Sequence, residues 1–219
     1  MSLSFQHLKT IALAGLILIG LGVHHGAQAA GKEVLTVAGG CFWCVEADFE
    51  SVPGVHEVVS GYTGGTLRNP TYKQVTKGNT GHYEAARIIY DPARVSRDQL
   101  LFMFFRSIDP TDAGGQFCDR GSSYRTAIFV SDAAEKAAAQ KAKSQAKAAL
   151  GRKIVTPILS AGTFYPAEAY HQNYYKSSEI TLTRGGPKTR AKAYKFYREG
   201  CGRDKRVKQL WGKAAPFTR

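Results

Sequence analysis

Cys41 and Cys44 stand three residues apart in Gly39-Gly40-Cys41-Phe42-Trp43-Cys44, where an apolar run gives way to a helical pattern. Backbone N–H groups at a helix start are unpaired, and the helix dipole is positive there. Both effects favour a thiolate over a thiol, so Cys41 is placed to act as a nucleophile. The two glycines permit a sharp turn and leave the approach open. Phe42 and Trp43 would form an apolar wall beside it. Other readings compete. Half a zinc site would need a second closely spaced pair, and Cys118 and Cys201 stand alone. A thioredoxin-like motif also follows a strand, but nothing else in the chain specifically supports that fold. Inert core cysteines are the third reading.

Glu84 is the second group that could do chemistry. Alternation over His82–Tyr90 places His82, Glu84, Ala86, Ile88 and Tyr90 on one face of a strand. A carboxyl among apolar neighbours resists ionisation, and a neutral carboxylic acid can donate a proton. A glutamate at an exposed strand end fits the alternation equally well. Tyr72, in Asn69-Pro70-Thr71-Tyr72, and Tyr124, in Phe117-Cys118-Asp119-Arg120-Gly121-Ser122-Ser123-Tyr124, fall near strand starts, where loops carry sites. Spacing alone does not separate them from packing tyrosines.

The elements that must hold these groups form an α+β pattern. Glu33–Ala38, Val55–Tyr62, His82–Tyr90, Tyr124–Val130 and Ile154–Leu159 read as strands. Val45–Ser51 reads as a helix stopped by Pro53-Gly54. Ser96-x-x-Gln99 is a capping box opening a helix with an apolar stripe of Leu100, Leu101, Phe104, Phe105 and Ile108. Asp132-x-x-Glu135 opens an Ala/Lys-rich helix running to about Leu150. Ala167–Lys176 and Lys188–Arg198 read as short helices, within a C-terminal region that is basic and loop-rich from about residue 184. Strand, helix, strand, strand, helix, strand is the order of a ferredoxin-like unit. The expected fold is thus an α/β sandwich, a mixed sheet with packed helices.

The chain has 219 residues, 43% hydrophobic and 21% charged, in the range of one globular domain. That balance excludes disorder and fibrous repeats. Residues 1–29 differ: Lys9, the apolar run Ile11–Val23 and the exit Ala27-Gln28-Ala29 read as a secretory signal peptide. The run is short for a membrane span, which needs roughly 20 residues. The expectation is cleavage after Ala29, a single domain over 30–219, and an exported protein, periplasmic in a Gram-negative host, with no stable membrane association. Four cysteines are too few to staple a chain this long, which favours reactive chemistry even in an oxidising compartment. The formal charge is +13, and residues 184–219 hold twelve Lys or Arg against Glu199 and Asp204. A solvated surface explains this better than nucleic acid, for which no motif is present.

Together these residues resemble the A-type peptide methionine sulfoxide reductases. The likeness runs in order through Gly39-Gly40-Cys41-Phe42-Trp43, Ser60-Gly61-Tyr62-Thr63-Gly64-Gly65, Asn69-Pro70-Thr71-Tyr72 and Thr80-Gly81-His82-Tyr83-Glu84-Ala85. It continues through Asp119-Arg120-Gly121-Ser122-Ser123-Tyr124-Arg125, Ala167-Glu168-Ala169-Tyr170-His171-Gln172 and Cys201-Gly202-Arg203-Asp204, so it spans nearly all of the chain after the leader. The resemblance implies reduction of the S epimer of methionine sulfoxide, in oxidised proteins, peptides and the free amino acid, with no metal and no bound cofactor. A monomer is expected. Cys41 would attack the sulfoxide sulfur, Glu84 would protonate the departing oxygen, and Tyr72 and Tyr124 would hydrogen-bond that oxygen. Asp119 would support the polar network, and Phe42 and Trp43 would hold the S-methyl group. Cys41 would become a sulfenic acid, a second cysteine would condense with it as a disulfide, and a thioredoxin-type dithiol donor would reduce that bond.

The resemblance leaves the second cysteine open. Family members carry it three residues after the nucleophile, here Cys44, or in a mobile C-terminal tail, here Cys201, whose neighbouring glycines add freedom. Cys118, beside Asp119, is a third option. Cys44, nearest in sequence, is taken as the first to resolve. Two rival readings have clear discriminators. A general thiol–disulfide oxidoreductase would reduce disulfides but not sulfoxides. A basic binding module would lose its ligand steeply as salt rises.

Overall fold

A computed structural model describes residues 31–218; the leader read over 1–29 lies outside the described residues. The chain runs β1 (Glu33–Gly39), α1 (Phe42–Phe49), β2 (Val55–Thr63), α2 (Tyr72–Thr76), β3 (Tyr83–Tyr90) and α3 (Arg97–Phe105). A small hairpin follows, β4 (Gly115–Gln116) and β5 (Asp119–Arg120), then β6 (Thr126–Val130), α4 (Ala133–Leu150), β7 (Ile158–Ser160) and β8 (Tyr165–Pro166). A second hairpin, β9 (Ile180–Thr183) and β10 (Gly186–Thr189), leads into α5 (Arg190–Gly200) and α6 (Arg203–Trp211).

Six strands form one sheet in the order β7-β6-β1-β3-β2-β8. β1 is antiparallel to both β3 and β6, β2 is antiparallel to β3, and β7 is parallel to β6, so the sheet is mixed. Its four central strands carry the ferredoxin-like order that the alternation of strands and helices implied. β3 sits among them and is buried on both faces. Ala86, Ile88 and Tyr90 point into the main core, while Tyr83 and Ala85 pack with Ala38, Ala127, Phe129 and Phe164 on the other side.

The main core lies under α1, α3 and α4. The α3 stripe of Leu100, Leu101, Phe104, Phe105 and Ile108 is fully buried in it. Burying each such side chain contributes roughly 1.5–3 kcal/mol. The capping box forms as the sequence indicates. Gln99 N donates to Ser96 Oγ at 3.2 Å, and Ser96 N donates to Gln99 Oε1 at 2.8 Å. Asp132 Oδ1 likewise accepts from Glu135 N at 2.8 Å, and Gly151, in the left-handed region, ends α4 after Leu150. Alanines 139, 142 and 146 let α4 lie close on the sheet.

Several elements differ from the sequence reading. The helix expected over Val45–Ser51 starts earlier, at Phe42, so Cys44 lies within it. Residues 122–124 form a single 3-10 turn, and the strand begins at Thr126, which frees Tyr124 from the sheet. The strand expected over Ile154–Leu159 is reduced to Ile158–Ser160, because Pro157 has no N–H to give a ladder. Ala167–Lys176 forms two 3-10 turns, Ala169–His171 and Tyr174–Lys176, rather than a helix.

The largest correction concerns the region from about residue 184, which is not a loop-rich tail. It folds as the second half of a hairpin followed by α5 and α6. The short helix read over Lys188–Arg198 is found as α5, whereas the hairpin and α6 were not read, since few apolar residues mark them. Buried cations do much of the anchoring. Arg198 donates to Asp48 Oδ1 at 2.8 Å and to Asp204 Oδ1 at 2.7 Å, and Arg203 donates to the Gly39 carbonyl at 3.1 Å. Val207 and Trp211, one turn apart on α6, complete the seal against the core.

Candidate active site

The junction between β1 and α1 fixes the nucleophile candidate. Gly40 has φ +79°, and a Cβ there would lie 2.5 Å from Gln116 Cβ, so the turn requires glycine. Cys41 precedes the first helical residue, and its carbonyl accepts from Cys44 N at 3.1 Å. The first helical N–H, that of Phe42, donates to Glu84 Oε2 at 3.2 Å. One bond thus ties the start of α1 to the carboxyl on β3.

Glu84 is buried, opposite Tyr62 of β2 in the ladder. Burial pushes its pKa up to about 8; Asp119 adds to the rise, while the Phe42 amide and the Tyr124 hydroxyl oppose it. Glu84 Oε1 has no hydrogen-bond partner. Of the two readings left open by alternation, the buried acid is the one found.

The thiols depart from expectation. Cys41 does not become the easier thiolate at the helix start. It is held well above the ordinary thiol range, first by its hydrogen bond with Cys44, then by burial and by the charges of Glu84 and Asp119. Cys44 is lowered to about 7, chiefly by that same bond and, against burial, by the nearby cations Arg203 and Arg198. The bond between the two thiols thus raises Cys41 and lowers Cys44.

Tyr72 lies in the first turn of α2, where its N–H donates to Glu168 Oε1 at 2.9 Å. Glu168 Oε2 accepts from the Tyr62 hydroxyl at 2.9 Å. The Tyr72 and Tyr124 hydroxyls hydrogen-bond to one another, and burial holds both phenols well above their usual range, fully protonated. Asp119 is raised by burial, with Arg203 pulling it back. Phe42 is buried, its ring 6.2 Å from Trp43 and 6.3 Å from Tyr72.

Cys41, Phe42, Trp43, Cys44, Tyr72, Glu84, Cys118, Asp119, Tyr124 and Cys201 all border one cavity of about 660 Å³. Every residue singled out in the sequence for chemistry therefore meets in one place. Cys118 and Cys201, isolated in the chain, are joined as a disulfide with Cα atoms 4.9 Å apart. Asp119 lies close enough to complete a three-ligand set, but in the bridged state neither sulfur is free to coordinate a metal. Cys201 is not on a mobile tail: it sits between α5 and α6.

Three participants carried no assigned role in the sequence reading. Tyr174 stacks on Trp43 with ring centroids 3.7 Å apart. His171 packs 5.1 Å from Phe42 and 4.4 Å from Tyr72, and burial lowers its pKa to about 4, so it is neutral. Arg203 is buried beside the thiols. His171 lies in a quoted motif, which is the one signal that could have found it. Arg203 likewise lies in the quoted Cys201-Gly202-Arg203-Asp204, whereas Tyr174 is an ordinary residue type in a polar stretch.

A thiol pair, a neutral carboxylic acid and two bonded phenols around an apolar-walled cavity define a cysteine-dependent oxidoreductase. A family profile described as peptide methionine sulfoxide reductase matches residues 33–212. Peptide methionine sulfoxide reductase MsrA 2 of Caulobacter vibrioides is 48% identical over 205 residues, covering 93% of this chain and 98% of that protein. MsrA of Bacillus subtilis is 45% identical over 183 residues, covering 83% of this chain and 97% of that one. Among solved structures, reduced Mxr1 from Saccharomyces cerevisiae is 31% identical with a TM-score of 0.63, covering 66% of this chain and 84% of that one. Methionine sulfoxide reductase A of Corynebacterium diphtheriae is 32% identical with a TM-score of 0.61, covering 72% and 84%. The chain belongs to the peptide methionine sulfoxide reductase family.

Proposed function

We propose that this protein reduces the S epimer of methionine sulfoxide, free and in polypeptides, with Cys41 as nucleophile and Glu84 as acid. The observation that carries the reading is the Phe42–Glu84 hydrogen bond, which holds a neutral carboxyl against the helix start that bears the thiol. Cys41 gives its proton to Cys44 as its sulfur attacks the sulfoxide sulfur. Glu84 delivers its proton to the oxygen, which Tyr72 and Tyr124 hold through their hydroxyls. The oxygen ends on Cys41 as a sulfenic acid, and the substrate, two electrons reduced, leaves as methionine. Phe42 and Trp43 offer an apolar seat for the S-methyl group, and Asp119 braces the polar side.

Cys44, already hydrogen-bonded to Cys41, then condenses with the sulfenic acid to give a disulfide and water. The nearby Arg203 and Arg198 would also stabilise it as a leaving thiolate in the next exchange. The Cys118–Cys201 dithiol takes over the bridge, returning Cys41 and Cys44 to thiols. The observed state, with the outer pair bridged and the inner pair free, matches the end of that exchange. Cys118 is exposed whereas Cys44 is buried, which favours the outer bridge as the one a thioredoxin-type donor reduces. The leader-like 1–29 supports export to an oxidising compartment; N-terminal sequencing of the secreted protein should read from Ala30.

The deciding experiment supplies a peptide bearing each sulfoxide epimer separately and follows loss of one oxygen by mass. The S epimer alone should be consumed. Reduction of disulfides with no loss of oxygen from either epimer would favour a general thiol–disulfide exchange enzyme.

A further inference from the structure

The mouth of the catalytic cavity carries an apolar surface that the chemistry above does not use. Leu182 on β9, Arg184 in the hairpin turn and Phe196 on α5 border the cavity together with Cys41. Leu182 is 80% exposed, Ile180 on the same side of β9 is 69% exposed, and Phe196 is 39% exposed. Exposing two large aliphatic side chains on one short strand costs solubility, and such patches mark binding surfaces. The hairpin is also tied to the reacting end of the cavity. Thr181, between the two aliphatic residues, hydrogen-bonds with Tyr174, and Tyr174 stacks on Trp43 beside Cys41. A chain of contacts thus runs from the exposed strand to the wall on which the substrate's methyl group would rest. The surface is cationic as well: Lys188 lies 5.3 Å over the Phe196 ring, and no carboxylate pairs with Arg184 or Lys188 among the described residues.

We infer that Ile180, Leu182 and Phe196 form a subsite for polypeptide substrates, receiving an apolar side chain that neighbours the oxidised methionine, while Arg184 and Lys188 attract an acidic residue next to it. This rests on the sulfoxide-reductase reading and adds a substrate class to it: an apolar, acidic stretch of polypeptide. Leu182, Arg184 and Phe196 border the same cavity as Cys41, so this mouth is open to the residues that flank a methionine sulfoxide seated there. The patch continues directly from the cavity, and its charge suits an acidic partner. Free methionine sulfoxide has no flanking residue to place on it.

The test compares free methionine sulfoxide with two peptides, one flanking the sulfoxide with Leu and Asp, the other with Gly and Lys. The Leu/Asp peptide should be preferred in kcat/KM by about tenfold or more, mainly through KM, as expected when an apolar side chain fills a pocket. I180T/L182T keeps strand-forming residues on β9 and should erase the Leu preference. R184E should reverse the preference for Asp over Lys. Equal kcat/KM for the two peptides would overturn the subsite, and so would an unaltered preference in I180T/L182T. Equal losses on the free amino acid would overturn it too, since they would mark damage to the cavity itself. A loss seen with thioredoxin as donor but not with a small dithiol would make the patch a reductant dock, overturning the assignment. Wild-type protein inert towards every sulfoxide would defeat the functional reading itself, a result distinct from activity without preference.

Discussion

The two cysteine pairs share one cavity and differ in almost everything else. Cys41 and Cys44 come from a single turn at a helix start, are reduced, and are largely shielded from solvent. Cys118 and Cys201 are 83 residues apart, are bridged, and lie nearer the surface. The inner pair is built by local geometry and the outer pair by tertiary packing. Chemistry on a small substrate benefits from a dry pocket, whereas exchange with a protein donor needs exposure. One cavity lined by both pairs lets oxidising equivalents move outward while the reacting thiols stay covered.

The comparison can be broken most sharply at Cys41. C41S should abolish sulfoxide reduction even with excess small dithiol, and methionine formation followed by mass checks it; substantial turnover would remove the inner pair from the chemistry. C201S is next. With a thioredoxin donor it should stop after about one methionine per enzyme, because a buried Cys41–Cys44 bridge is poorly reached, and a small dithiol should restore turnover. Full turnover with thioredoxin would make the outer bridge purely structural.

E84Q should cost roughly 10²-fold in kcat/KM, the usual worth of a positioned general acid. The pH profile sharpens this further. Activity requires the thiol pair singly ionised and Glu84 protonated, so it should rise with pH through about 7 and fall through about 8. E84Q should lose the alkaline fall and keep the acid limb. A separate effect is on stability. Mild reduction of the outer bridge alone should lower stability by about 2–4 kcal/mol, since it releases a long loop. Thermal unfolding before and after selective reduction measures it.

Much of this was legible in the sequence where local rules decide. The caps at Ser96 and Asp132, the α3 stripe and the glycine turn before Cys41 follow from side chains a few positions apart. Glu84 was half legible: alternation gave its face, but only the neighbouring strands β1 and β2 show that β3 is interior. Of the C-terminal helices, α5 was legible over Lys188–Arg198, but α6 was not, because Arg198 and Arg203 do much to hold this region and a buried guanidinium looks like surface in a sequence. The rise at Cys41 was illegible in part for a related reason: its bond with Cys44 is local, but the charges of Glu84 and Asp119 come from other elements.

The contacts of Arg198 and Arg203 also bear on how the site is enclosed. Asp48 and Arg198 are separated by 150 residues, and Gly39 and Arg203 by 164. The chamber around Cys41 is thus enclosed by contacts that span most of the described chain, so loss of the last two helices would leave the sheet with its reacting thiol uncovered.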